Sequence, residues 1–375
     1  MYVKELGRPL PDTPSFSLQF TELTNLVLQG CGGLEVLNVR HLTVSALLFT
    51  CLAVLAQEKK DPPVDPKDKK EPAPATGEVD FAWKWEKDKP IFSQMTTKTV
   101  QNIKVQELNI NQIQEQTFFF KWTPLKEDAG KWTVKQTIEG IKMKIDIAGN
   151  PVSYDSTVDQ QAAGSNTALN DFFKNLKGSE FTVTVTKEGT VEKIEGREAF
   201  VAKLTAANKQ LEGLLQKILS EEAFKQMSDP SFSLLPKDSP KKKAKDKWER
   251  TTSLDLGPVG GYDIKYTYEL DKVTGDIAEI KVTPSVTYKA PKATETGDAL
   301  PFKIKGADLK SDATAGGTIK FNTKTGRIES SNVTLKINGK VTLEIGGQTS
   351  DVEIRQEQTT DVAYSDKSSL PEPKK

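Results

Sequence analysis

Residues 141–147 read Ile-Lys-Met-Lys-Ile-Asp-Ile. On an extended chain Ile141, Met143, Ile145 and Ile147 point one way, and Lys142, Lys144 and Asp146 the other. This is the pattern of a strand with one wet face, which implies antiparallel pairing. The same period of two recurs in Tyr262, Ile264, Tyr266, Tyr268 and Leu270, in Phe181, Val183 and Val185, and in Ile319 and Phe321.

Turn residues between these runs predict hairpins. Lys187-Glu188-Gly189 suits a three-residue loop with Gly189 in the left-handed bulge position, setting Val185 opposite Val191. Asn338-Gly339 sits between Val333, Leu335, Ile337 and Val341, Leu343, Ile345. A two-residue loop there would put Leu335 and Leu343 on opposite faces. The sequence therefore predicts a loop of Ile337, Asn338 and Gly339, with Leu335 opposite Val341. The segments 271–277 and 322–328 resemble each other and mark two slightly longer turns. The glycines of 257–261, Gly-Pro-Val-Gly-Gly, mark a tight bend into the Tyr262 strand.

Helical spacing is confined to the middle of the chain. Residues 168–177 place Leu169, Phe172, Phe173 and Leu176 on one face, with Gly178 as the stop. Residues 197–219 carry Phe200, Leu204, Leu211, Leu214, Leu215, Ile218 and Leu219, and Ser220 can cap a short helix through Met227. The expected class is α+β: a large curved antiparallel β-sheet, a meander of hairpins bending toward a half-barrel, with a block of helices packed on one face.

The chain has 375 residues, 36% hydrophobic and 28% charged, which suits a soluble protein and excludes multi-pass membrane, collagen and coiled-coil classes. Residues 42–56 form an uncharged apolar run of 15, preceded by Arg40 and His41 and followed by Gln57, Glu58, Lys59 and Lys60. That is the anatomy of a signal peptide, cut between Ala56 and Gln57. The run is shorter than the roughly 20 residues of a membrane-spanning helix, so no stable transmembrane anchor is expected. Thr50 and the apolar residues beyond Cys51 disfavour lipid attachment at that cysteine. Residues 1–38 carry four carboxylates, unlike a signal start, and we read them as an overextended gene start. Peptides from 1–38 in a digest of cellular protein would refute this hypothesis.

The expected organisation is a signal region at 1–56, a Pro/Lys/Asp-rich linker at 57–79, a single α+β domain at 80–364 and a disordered tail at 365–375. Lys241, Lys242, Lys243, Lys245 and Lys247 in 236–247 read as a mobile surface loop. Export places the protein in the periplasm or outside the cell. Residues 1–56 contain three of 52 basic and four of 52 acidic side chains, so the remainder carries 49 against 48. This balance provides no broad field for nucleic acid.

His41, Cys31 and Cys51 are the whole complement of imidazole and thiol groups, and all precede the cut. The remaining chain lacks the usual base of a nucleophilic triad and the preferred zinc ligands, so neither cofactor nor metal is expected. Asp146, Asn150, Asp155 and Asp159 match no calcium loop and read as Asx-rich turns. The candidate ligand-binding residues are aromatic: Trp83, Trp85, Trp122 and Trp132, with Phe118, Phe119 and Phe120 facing both sides of a strand. They either fill the core or line a groove for an acyl chain or sugar ring.

Several segments together carry a family resemblance. They are Tyr154-Asp155-Ser156, Phe181-Thr182-Val183-Thr184-Val185, Gly189-Thr190-Val191, Ile194-Glu195-Gly196, Leu234-Leu235-Pro236, Trp248 and the Tyr262 strand. Over about residues 80–290 the chain resembles uncharacterised exported bacterial proteins grouped as a domain of unknown function. The lysine run departs from the short connection expected between Pro236 and Trp248. The resemblance implies an envelope location and no catalytic residue. The first functional expectation is a noncatalytic envelope protein binding an apolar small molecule or lipid on its curved sheet. The alternative is a surface or scaffold module binding polysaccharide, protein or another envelope component, and a carboxylate-based hydrolase ranks below both. Oligomeric state is left open.

Overall fold

The computed structural model describes residues 78–158, 173–205, 212–213, 216, 219–228, 232–255, 257, 260–291, 303–345 and 347–370. The signal region, the cut at Ala56 and Gln57, and Asp159 lie outside these residues.

Antiparallel strands dominate. In chain order they are β1 (Val79–Asp80), β2 (Ile91–Val105), β3 (Leu108–Asp128), β4 (Lys131–Ile147), β5 (Asn150–Asp155), β6 (Glu180–Thr186) and β7 (Val191–Glu195). Among the described residues the helices α1 (Arg197–Thr205) and α2 (Glu221–Ser228) follow. Then come β8 (Lys241–Lys242), β9 (Lys247–Asp255), β10 (Gly261–Thr274), β11 (Ile277–Lys289) and β12 (Lys303–Ser311). The chain ends in β13 (Gly316–Asn322), β14 (Arg327–Ile345) and β15 (Gln348–Ser365). One 13-stranded sheet runs β7-β6-β4-β3-β2-β15-β14-β12-β11-β10-β9, with β13 pairing β11 and β14, and β5 pairing β4. The first and last long strands, β2 and β15, are neighbours at its centre.

The expected alternation holds. Ile141, Met143, Ile145, Phe181, Val183, Val185, Tyr262, Ile264, Tyr266, Tyr268, Leu270, Ile319 and Phe321 are all buried. Val185 pairs with Val191, and Gly189 takes a φ of 72°. A Cβ on Gly189 would lie 2.1 Å from the Phe232 carbonyl oxygen, so both conformation and close approach require glycine. The turns after β10 and β13 lie side by side, joined by a hydrogen bond from Thr323 N to the Asp276 carbonyl.

The Asn338-Gly339 hairpin is a misreading. β14 passes straight through both residues, and the chain reverses before β15, which begins at Gln348. Leu335, Ile337, Val341 and Leu343 therefore share one buried face. Gly339 is needed because β12 passes close by: a Cβ there would meet the Asp308 carbonyl oxygen at 1.9 Å. The lysine run is also not a free loop. Lys241 and Lys242 form β8 against β1, Lys242 is buried beside Asp238, Lys245 is bonded to Asp271, and Lys247 pairs with Glu269 at 3.1 Å.

Of the expected block of helices, Leu169, Phe172, Leu211, Leu214, Leu215 and Ile218 lie outside the described residues, which hold α1, α2 and a helical turn at 173–176. Ser220 Oγ accepts the Ala223 N–H and caps α2, as the sequence suggests. This short helix packs against both β7 and β9, the two ends of the sheet. Gln226 Oε1 accepts the Asp255 N–H of β9 at 2.8 Å, and Phe224 meets Phe181 with ring centres 5.0 Å apart. Arg250 of β9 reaches across, donating to the carbonyls of Glu188 (2.9 Å) and Gly189 (3.5 Å) in the β6–β7 turn and of Leu235 (2.7 Å). The sheet has thus curled until its ends face each other across α2.

The outer face is charged. Lys336–Glu357, Lys340–Glu353, Lys135–Glu180, Lys265–Glu249 and Lys289–Asp263 are cross-strand ion pairs along it. Exposed Val100 and Ile113, paired across β2 and β3, interrupt this surface. Apolar inside and charged outside is the reverse of a membrane-spanning β-barrel, whose apolar residues face lipid. Among the described residues no helix is long and apolar enough to cross a membrane.

Candidate functional site

The inner face carries two apolar clusters. One is built from β9–β15 together with Phe81, Ile103, Ile110, Leu234 and Leu235. The other joins β2–β7 to Leu204 of α1, Phe224 of α2 and Phe232. Trp83 and Tyr364 pack against both.

Phe232 is the centre of an aromatic group at this junction. Trp83, Trp85 and Trp122 approach its ring at 6.2, 6.4 and 5.6 Å, and Trp83 stacks on Trp85 at 6.1 Å. Phe118, Phe120 and Trp122 continue along β3. Trp122 is buried and donates its indole N–H to Ser93 Oγ at 2.9 Å, and Trp83 donates to the Phe232 carbonyl at 3.2 Å. Three of the four candidate tryptophans therefore converge. Trp132 is half-buried on β4 opposite Val185 of β6.

Between the apolar clusters lies a group that the sequence reading missed. Register places Gln112, Gln101 and Gln356 in one row across β3, β2 and β15. Gln114, Thr99 and Gln358 form the next row, and Gln116, Thr97 and Thr360 the third. Eight of the nine are buried, and Gln116 is half-buried. Apolar residues border this island: Ile110, Ile103 and Ile354 at one end, and Phe118, Met95 and Val362 at the other. Ile145 and Met143 flank it on β4, and Ile337, Leu335 and Val333 on β14. Gln101 Nε2 donates to Gln356 Oε1 (3.0 Å), Gln356 Nε2 to Gln358 Oε1 (3.2 Å) and Gln114 Nε2 to Gln116 Oε1 (3.3 Å). Among the described residues Gln101 Oε1, Gln114 Oε1 and both amide atoms of Gln112 have no hydrogen-bond partner. The missed signal is repetition: Gln112-x-Gln114-x-Gln116, Thr97-x-Thr99-x-Gln101 and Gln356-x-Gln358-x-Thr360 all have period two.

The depressed carboxylates Asp271, Glu180 and Asp155 sit in ion pairs with lysines. Hydrogen bonds from Lys245 and Lys281 hold Asp271 below its ordinary value, and Lys135 does the same for Glu180. Burial pushes Asp155 up, but hydrogen bonds from Thr157 and Lys142 outweigh it and leave its pKa lowered. Asp146 Oδ1 accepts the Gly149 N–H in the β4–β5 turn, and Asp155 Oδ1 accepts the Thr157 N–H in an Asx turn. Asp361 is the exception: burial pushes its carboxyl up to about 7. Tyr262 and Tyr266 are also raised by burial, which keeps them protonated. A cleft of about 310 Å³ between β1 and the β10–β11 turn is lined by Glu78, Asp80, Lys84, Val273, Gly275 and Thr323. It lies at the rim of the molecule and has no part in the island or the aromatic group.

The fold and this interior define a curled antiparallel sheet with an apolar, locally polar inner face. Residues 129–328, more than half the chain, match the model of a family of unknown function, DUF6263, and the chain belongs to that family. No curated protein matches the sequence. Among solved structures, lipovitellin, reported for its lipid–protein interactions, is 12% identical with a TM-score of 0.40. That match covers 78% of this chain and 26% of the lipovitellin chain, so this protein spans about a quarter of its length. An outer membrane channel from Pseudomonas putida F1 is 7% identical, with a TM-score of 0.21, over 81% of this chain and all of the channel.

Proposed function

We propose that this is an exported, noncatalytic protein of the cell envelope, periplasmic or extracellular, that holds an apolar or lipid-like ligand within its curled sheet. One observation carries the reading: apolar side chains line the inner face on both sides of the Phe232 aromatic group, while the outer face is charged. Such an interior offers a hydrocarbon chain burial worth about 25 cal/mol per Å². Stacking of Trp83 on Trp85 occupies ring faces that a sugar would use, which favours the apolar ligand over a polysaccharide. Lysine-paired surface carboxylates favour a structural over an acid–base role for those groups.

Native mass spectrometry of protein purified without detergent, followed by delipidation and titration with a fluorescent fatty-acid analogue, tests the proposal. The expected result is a copurifying lipid or saturable uptake of the analogue. Absence of both would overturn it.

A further inference from the structure

We infer that the glutamine–threonine island is a recognition site for an uncharged hydrogen-bonding group, a hydroxyl or amide, on an amphipathic ligand whose hydrocarbon part lies along the apolar rows beside it. This rests on the ligand-binding reading above and adds which end of the ligand is read, and where.

The inference starts from cost. Burying an amide with no partner is unfavourable, and native interiors satisfy nearly all such groups. Here unpartnered atoms are concentrated on Gln101, Gln112 and Gln114, each less than 5% exposed, in adjacent positions of two neighbouring strands. Gln112 lacks partners at both ends of its amide, so its need for one donor and one acceptor is the same whichever way the group is turned. A hydroxyl or a carboxamide supplies both kinds of contact. A carboxylate or phosphate supplies acceptors only, and the nine island residues include no lysine or arginine to balance its charge.

Position gives the second argument. The island is bordered by Ile, Leu, Val, Met and Phe on every side described. An acyl chain lying on these residues would bring an adjoining ester-linked glycerol or amide-linked alcohol over Gln112. The backbone pairing of β3, β2 and β15 runs through the island without a register shift, so it does not rest on the amide atoms that lack partners. The polar atoms are therefore suited to selecting a ligand rather than to building the sheet.

The test uses delipidated full-length mature protein and three probes with one acyl chain: the monoacylglycerol, the fatty-acid methyl ester and the fatty-acid anion. The monoacylglycerol is expected to bind roughly ten-fold more tightly than the methyl ester, because a site built for hydroxyl groups discriminates against a ligand lacking them. Gln112→Met should reduce that preference to less than about two-fold, with Tm unchanged or raised. Gln114→Met provides the same comparison if the first variant folds poorly. Two results would overturn the inference while the ligand-binding reading stands. One is equal binding of the neutral probes with variants that only lower Tm, the behaviour of an internal structural network. The other is the anion binding most tightly. If none of the three probes binds, both readings fall.

Discussion

Asp361 is the residue most out of step with its surroundings. It lies on the outward row of β15, in register with Asn332 and Thr96, and its Oδ1 is buried with no hydrogen-bond partner among the described residues. Burial raises its pKa to about 7, above the unfolded value of about 3.9. Between these values the folded protein retains a proton that the unfolded chain has lost, so this group's contribution to stability falls as pH rises. Asp361→Asn removes the effect. Thermal melts of both proteins should coincide near pH 4, and the variant should become progressively more stable as pH rises to about 7, with a constant gap above that. A gap independent of pH would show that the carboxyl titrates normally.

At the scale of the element, strands with apolar inner positions were legible. The Lys187–Gly189 hairpin, the Tyr262 strand and the Ser220 cap all rest on local chemistry, and each occurs as read. β14 was misread because Asn-Gly is a strong hairpin signal, yet the odd-numbered apolar residues run from Val333 to Leu343 without a change of phase. β2 and β15 were not recognised because threonine and glutamine occupy their central inner positions, where alternation is sought in apolar residues. The same substitution hid the island. The charge of Lys242 suggests solvent, but Asp238 four residues before it supplies an ion pair, and β1, distant in sequence, pairs with it only in the folded chain. If Gly339 serves the approach of β12, Gly339→Ala should cost about 1–3 kcal/mol by denaturant unfolding, as overpacking does. Exposed Asn338→Ala should stay within about 0.5 kcal/mol. The reverse order would restore a turn-forming role to Asn338.

For the molecule as a whole, the decisive feature is closure, which no periodicity reveals. Arg250, Gln226 and the Phe232–Leu235 segment bring together strands that are 50 or more residues apart in the chain, and each contact is between groups with no local sequence signature. Closure joins the two apolar clusters of the inner face at Trp83 and Tyr364, with the polar island between them. Binding of the proposed apolar ligand there would remove hydrocarbon surface from water and therefore lower the heat capacity. Calorimetric titration of delipidated protein with a long-chain monoacylglycerol at several temperatures measures this directly. The enclosed interior predicts saturable binding, one ligand per chain, with a negative heat-capacity change. Non-saturable binding, or saturable binding whose enthalpy does not vary with temperature, would contradict it.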